Sequence, residues 1–385
     1  MFEQERIYIA GPECFYKNGY TMLAAMRRYA ESQGFGVTLP NDHPLDMDNP
    51  DLQKRADCIF ADLKRAIKET TVIIADLEAY RGSEADSGTI YEIGMAYANG
   101  IRCYGYTRDK RPLAWKDQQY FIRDKQVYNE KKQPAPYFDL PFSPTIVGST
   151  KIIQGDFFDC LKVLMADLEE EWKAEGRRGN GKFPQNSSKP DQTSEKCIRM
   201  TGEGSSGRPI VYLADLVRYE EGAGQIYEKR KELCRRYGLE ALTPLDLAQG
   251  REWVQSPNRY TQAADLTENY LELIRECDAV VADLNNYRGY ECANDVGFEC
   301  GVGLELKKKL FGYMQDTRPC IEKIPHLGEE AEYRDMTGSN VENFNYPANL
   351  MFACSMKIYE SKFEAAIKQV AESLNAEKCN EEGSR

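Results

Sequence analysis

Histidine is nearly absent from this chain: there are two in 385 residues, at positions 43 and 326. Chemistry that shuttles protons through imidazole is poorly supplied, so carboxylates and the 24 tyrosines are the acid–base groups at hand. Also lacking is any apolar run of the roughly 18 residues that a membrane span requires, and MFEQERIYIAGPE has no apolar core of a secretory leader. The twelve cysteines occur singly, with no CxxC pair, which argues against a disulfide framework or a zinc site and for a reducing cytoplasm. Positive charge is in deficit, with 50 Lys and Arg against 62 Asp and Glu and a formal net charge of −12. Such a chain repels a nucleic-acid backbone or an anionic membrane, and neither is expected as a partner. The acids do not cluster with His or Cys at ligand spacing, so no metal and no other cofactor is expected.

What is present is written twice. VIIADLEAYRGSEADSGTIYEIGMAYANGIRCYGYTRD (73–109) returns as VVADLNNYRGYECANDVGFECGVGLELKKKLFGYMQDTR (280–318). The spacing that carries Glu92 onto Glu299 also carries Asp76 onto Asp283 and Gly105 onto Gly312. Upstream, RIYIAGPECF (6–15) is answered by PIVYLADLVR (209–218); downstream, LPFSPTIV (140–147) is answered by YPANLMFA (346–353). Between the copies runs a stretch rich in Gly, Ser, Lys and Pro with almost no apolar periodicity, which reads as a linker over 175–207. The expected organisation is therefore a tandem repeat of related domains, 1–174 and 208–378.

Each copy alternates short β-branched runs with helical periodicity. RIYIAG and VIIADL read as buried strands, TMLAAMRRYAESQG and CIFADLKRAIKET as amphipathic helices. This order predicts two flavodoxin- or Rossmann-like doubly wound α/β domains with mostly parallel sheets, related by pseudo-symmetry. Ligands in such folds collect at the carboxyl ends of the strands, where IAGPE, ADLEAYRG and the helix carrying Glu92 should meet. A Glu in the first turn of a helix is by default a solvated acid favoured by the helix dipole. Glu92 departs from that default because Ile90, Tyr91, Ile93, Gly94 and Ala96 surround it and the preceding loop adds Glu84 and Asp86. Carboxylates sharing one site push their pKa values apart, which suits acid and nucleophile roles.

IYIAGPECF, ADLEAYRGSEADSGTIYEIG and LPFSP, in this order and echoed in the second half, resemble the nucleoside 2-deoxyribosyltransferase family. The resemblance implies double displacement: Glu92 attacks C1′ of a 2′-deoxynucleoside, the base leaves, and a free nucleobase collects the deoxyribosyl group. It further implies that Asp86 and Asp62 assist, that Tyr8 orients the nucleophile, and that Gly11, Pro12, Phe15 and Gly88 line the substrate site. Asn41 and Asp42 are weighed as base contacts against ordinary turn chemistry. The Asn of the family's late L-P-x-N element, donated by a neighbouring subunit to the sugar, falls on Ser143 in copy one and Asn349 in copy two; the alternative for Asn349 is a helix cap. Copy two keeps Glu299 and Tyr212 but has Ala293 for Asp86 and Asn269 for Asp62. An intrachain pseudo-dimer is therefore expected, in which copy two completes the site of copy one, within a larger homo-oligomer as family members form. Glu13 in the GPECF turn is expected to repel a 5′-phosphate. The competing readings are an N-glycoside hydrolase of deoxynucleosides or nucleotides, a NAD-cleaving enzyme, and a nucleoside-binding protein without catalysis.

Overall fold

The run VIIAD becomes a strand, β3 (Val72–Asp76), buried along its whole length and flanked on both sides by parallel neighbours. The computed structural model describes residues 2–174 and 207–383, except 41, 43–44, 47, 117–119, 124–125, 130–131, 133, 135–138, 255 and 329–332. Apart from Gly207, the linker read from the sequence lies outside the described residues. Around β3 stand β1 (Arg6–Ala10), β2 (Gly36–Thr38), β4 (Arg102–Thr107) and a fifth strand, Lys151–Gln154, in the order β2-β1-β3-β4-fifth, all parallel. The second copy repeats this order with Glu240–Leu242, Ile210–Ala214, Ala279–Asp283, Lys309–Met314 and Lys357–Glu360. Two doubly wound α/β units in tandem are thus formed, as the alternating pattern predicts.

In the first copy the helices are α1 (Gly19–Ser32), α2 (Leu52–Lys68), α3 (Ser87–Ala98), α4 (Pro144–Ser149) and α5 (Phe157–Ala174). Their counterparts in the second include α6 (Ala223–Arg236), α7 (Arg259–Glu276) and α8 (Asn294–Glu305). Strand alternation decides which face each residue serves: Ile7 and Ile9 pack with Leu23 and Met26 of α1 and Leu161 and Leu164 of α5. Tyr8 and Ala10 face the other way, into a core shared by both copies.

That shared core explains why α3 is buried on every side. Ser87 through Ala96 are all buried, because α3 lies between its own sheet and α8 of the other copy. A Cβ on Gly94 would sit 2.2 Å from the Phe298 carbonyl oxygen, and one on Gly301 would sit 2.0 Å from that of Tyr91. The two glycines occupy equivalent positions and let the helix backbones touch. The preceding loops also exchange contacts across the pseudo-two-fold axis. Gly82 bridges Gly289, the Ser83 N–H donates to the Arg288 carbonyl, and the Tyr290 N–H donates to that of Arg81. Among the described residues no helix is long and apolar enough to cross a membrane.

Candidate active site

Tyr8, in the middle of β1, projects its hydroxyl beneath α3 and donates to Glu92 Oε1 at 2.8 Å. Six residues earlier Asp86 caps the same helix: its Oδ2 accepts from the Thr89 N–H at 2.7 Å and the Thr89 hydroxyl at 2.6 Å. Asp86 Oδ1 is buried without a partner. Glu92 and Asp86 both line a cavity of about 210 Å³ at the carboxyl ends of the strands. Its floor includes Gly11, Cys14 and Gly88, and Phe15, Tyr20 and Phe344 supply aromatic faces. Ile59 and Leu63 of α2 form one wall.

The opposite wall comes from the second copy, through Asn340, Glu342 and Asn349 to Met351. Asn349 caps the one-turn helix Leu350–Ala353, its Oδ1 accepting from the Met351 N–H at 2.9 Å. Its amide also lies directly over Gly88, where an added Cβ would be 2.7 Å from Asn349 Nδ2. The cap and the cavity contact, alternatives at the level of sequence, are both realised. Arg81 locks this wall in place by donating from Nε to Asp335 at 2.8 Å and from Nη2 to the Asn340 carbonyl at 2.7 Å. The Asn340 N–H donates in turn to the Phe15 carbonyl at 2.7 Å.

Burial governs the charge of the site. It pushes Glu92 up to about 8, the Tyr8 hydrogen bond pulling the other way and the Asp86 charge adding to the rise. The carboxyl therefore favours its protonated form at neutral pH, because desolvation outweighs the single hydroxyl donor. Asp86 is likewise raised by burial, against the two Thr89 donors and the nearby Arg81. Among the described residues lining the cavity there is no Lys or Arg.

The remaining candidates are distributed unevenly. Asp62 is buried in α2 beside Arg65, close enough for its charge to act on Tyr8, but does not line the cavity. Pro12 opens the 3-10 turn and is buried outside the cavity lining, whereas Gly11 and Phe15 line it. Asp42 is exposed, accepts from the Leu39 N–H at 2.8 Å and pairs with Arg27, so its visible work is turn chemistry. Asn41 lies outside the described residues. Glu84 does not join Asp86: its carboxylate accepts from the Asn294 N–H at 3.0 Å and caps α8, which has Ala293 at its own cap position. Glu13 faces away from the cavity, fully buried, with the Tyr106 hydroxyl 2.7 Å from Oε1. It therefore offers no barrier to a phosphate in the cavity.

The equivalent place in copy two is filled. Arg218, six residues after Tyr212 as Cys14 is after Tyr8, donates to both Glu299 oxygens at 2.6 and 2.8 Å. Asp295, at the Gly88 position, accepts from the Thr145 hydroxyl at 2.6 Å and from the Tyr219 hydroxyl at 2.6 Å. Asn269 ties down the Asp246–Ala248 turn through both of its amide atoms. Sequence reasoning missed Arg218 and Glu342. The first was legible as an Arg in place of a Cys between matched strands and turns; the second had no counterpart signal in copy one.

A family model described as nucleoside 2-deoxyribosyltransferase matches the chain twice, over residues 7–141 and 211–351, which is more than half of its length. Among solved structures, a 2-desoxiribosyltransferase from Leishmania mexicana is 27% identical, with 43% of this chain and 97% of that chain covered and a TM-score of 0.34. The catalytic subunit of a cobaltochelatase from Mycobacterium tuberculosis is 11% identical, with 82% of this chain and 22% of that one covered and a TM-score of 0.20. No curated protein matches the chain.

Proposed function

The chain belongs to the nucleoside 2-deoxyribosyltransferase family, and from that premise we propose that copy one moves 2-deoxyribose from a 2′-deoxynucleoside to a free nucleobase, through an ester on Glu92, in cytoplasmic nucleoside salvage. The observation that carries this reading is the Tyr8–Glu92 pair, 2.8 Å apart, opening on one cavity with Asp86 and with Asn349 of the other copy. Glu92 as carboxylate attacks C1′ while the C1′–N bond breaks and its electron pair leaves with the base. Tyr8 fixes one carboxylate oxygen, so the other is the attacking atom. Asp86 Oδ1, buried and unpartnered, is placed to accept from a sugar hydroxyl or a base N–H. Asn349 Nδ2, above Gly88, is placed to donate to the sugar. Asp62 acts through the α2 wall and Tyr8 as a positioning residue. Phe15 and Tyr20 offer faces on which a base can stack. With no Lys or Arg among its described lining residues, the cavity offers a 5′-phosphate no counter-charge, which favours an uncharged nucleoside over a nucleotide.

The test is incubation with deoxyadenosine, alone and with a panel of free bases, in phosphate-free buffer, followed by chromatography. New deoxynucleosides that form only with acceptor base are the expected result. Base release at one rate regardless of acceptor would make the protein a hydrolase, and no turnover of any deoxynucleoside would leave a binding role.

A further inference from the structure

Departure of a nucleobase needs a proton on a ring nitrogen, and the groups already assigned have other work. Glu92 must be ionised to attack. Asp86 is raised by burial, but its Oδ2 is committed to the Thr89 N–H and hydroxyl at the start of α3, and its role above is that of an acceptor. Glu342 is the cavity carboxyl left over. It arrives from the second copy two residues after Asn340, which Arg81 and the Phe15 carbonyl pin in place. It lines the cavity beside Asn343, Phe344 and Asn349 of the same copy. Glu92, Asp86 and Cys14 share the cavity lining with it, and the other charged and titratable groups whose fields reach it are Arg81 of copy one, Glu291 from the loop before α8, and the thiols of Cys320 and Cys354. Burial raises Glu342 to about 8, with Arg81 opposing and the Asp86 and Glu291 carboxylates adding. At neutral pH the carboxyl therefore favours its acid form, at the lining of the cavity.

We propose that Glu342, supplied by the second copy, is the acid–base residue that protonates the departing nucleobase and deprotonates the incoming one. This rests on the transferase reading above. In the first half-reaction a Glu92 oxygen bonds to C1′, the C1′–N pair stays on the base, and the Glu342 O–H proton passes to another ring nitrogen. In the second, the acceptor's ring nitrogen bonds to C1′, the ester oxygen leaves with its electron pair, and a ring N–H proton returns to the Glu342 carboxylate. The role makes the second copy a chemical participant as well as a sugar-binding wall.

The experiment compares the full chain with Glu342→Gln and Glu342→Ala on two donors. Deoxyadenosine needs a proton to leave; 7-methyl-2′-deoxyguanosine carries a cationic purine that leaves without one. Both variants should lose about 10²–10⁴-fold in kcat/KM on deoxyadenosine and little on the methylated donor. Retained turnover of the methylated donor shows an intact site, which a merely structural role would not leave. The wild type should show an alkaline fall in rate with deoxyadenosine and none with the methylated donor, a comparison that needs no variant. Equal losses on both donors, or none on either, would overturn the role of Glu342 while leaving the transferase standing. Failure of the wild type on both donors would remove the transferase reading and this role with it.

Discussion

Arg218 grips both carboxylate oxygens of Glu299, at 2.6 and 2.8 Å, and Tyr212 donates to Oε1 of the same group at 2.8 Å. The Tyr–Glu pair of copy one is thus reproduced in copy two, but with a guanidinium where the first has the Cys14 side of an open cavity. Both partners of this ion pair are buried. A carboxylate held by two charge-assisted hydrogen bonds is a poor nucleophile, and the space that a sugar would need is filled.

Substituting Glu299 should therefore separate stability from catalysis. Glu299→Gln strands a buried guanidinium and should cost about 3–5 kcal/mol of stability. The kcat/KM of the folded fraction should be unchanged. The pair Arg218→Met with Glu299→Leu should restore much of the loss, since apolar residues often replace a buried ion pair without penalty. Denaturant melts and transfer assays on the same preparations check both halves. A large fall in kcat/KM with an unaltered melt would show that copy two carries out chemistry.

Glu92→Gln and Asn349→Ala should behave in the opposite way. Neither side chain holds an ion pair, so the fold should survive while transfer collapses. Glu92→Gln should abolish the mass increment of a deoxyribosyl adduct in acid-quenched samples. Asn349→Ala should slow adduct formation and raise KM, because it removes a donor to the sugar and the cap on Met351 together. An adduct that persists in Glu92→Gln would place the nucleophile elsewhere.

Much of this was legible in the sequence, and what escaped has a common physical cause. The runs RIYIA and VIIAD, the repeat spacing and the helix around Glu92 are local signals, and the strands, the order of elements and the Tyr8–Glu92 end of the sheet follow from them. The partners of each carboxylate are not local. Glu84 and Asp86 are two residues apart, yet one caps a helix of the other copy and the other caps its own. Gly94 is, in the sequence, one small residue among the neighbours of Glu92, and only the packed α3–α8 pair shows that the Phe298 backbone lies against it. Glu342 lies in a segment whose meaning depends on a wall built across the pseudo-two-fold axis.

Tyr8→Phe should move the acid limb of the pH–rate profile upward. The Tyr8 hydroxyl is a group that lowers the pKa of Glu92, against a burial effect that raises it to about 8. Removing the hydroxyl leaves burial unopposed, so the active carboxylate should form only at higher pH. The rate at neutral pH should fall by more than the rate at alkaline pH, and a profile measured with the methylated donor reads Glu92 without interference from the leaving group. An unshifted limb would mean that Glu92 ionisation does not set it.

Gly88→Ala tests the contact across the copies. A methyl group there would lie 2.7 to 3.0 Å from the Nδ2, Oδ1 and Cγ atoms of Asn349, so the whole amide must shift. The substitution is at the start of a helix, where Ala is well tolerated, and the fold should persist. Misplacing the amide by about 1 Å should lower kcat/KM on the order of 10²-fold. Wild-type kinetics in this variant would show that the position of the Asn349 amide is not critical.

The buried carboxyls also fix how stability depends on pH. Folding raises Glu92, Asp76 and Glu342 to about 8 and Glu291 to about 7, in each case chiefly through burial. In the unfolded chain the same groups lose their protons near 4.5, or 3.8 for Asp76. Through the intervening range the folded protein keeps protons that the unfolded chain has released, so stability must fall as pH rises. Their stabilising share is complete below the unfolded values and is lost as pH passes through the folded ones. The melting temperature should accordingly be higher at about pH 5.5 than at about pH 8.5. Asp76→Asn, which leaves an uncharged side chain beside Glu13, should flatten that slope without touching the cavity. A melting temperature that climbs across this range would mean that these carboxyls are ionised in the folded protein, and that the neutral Glu342 needed for base departure does not exist.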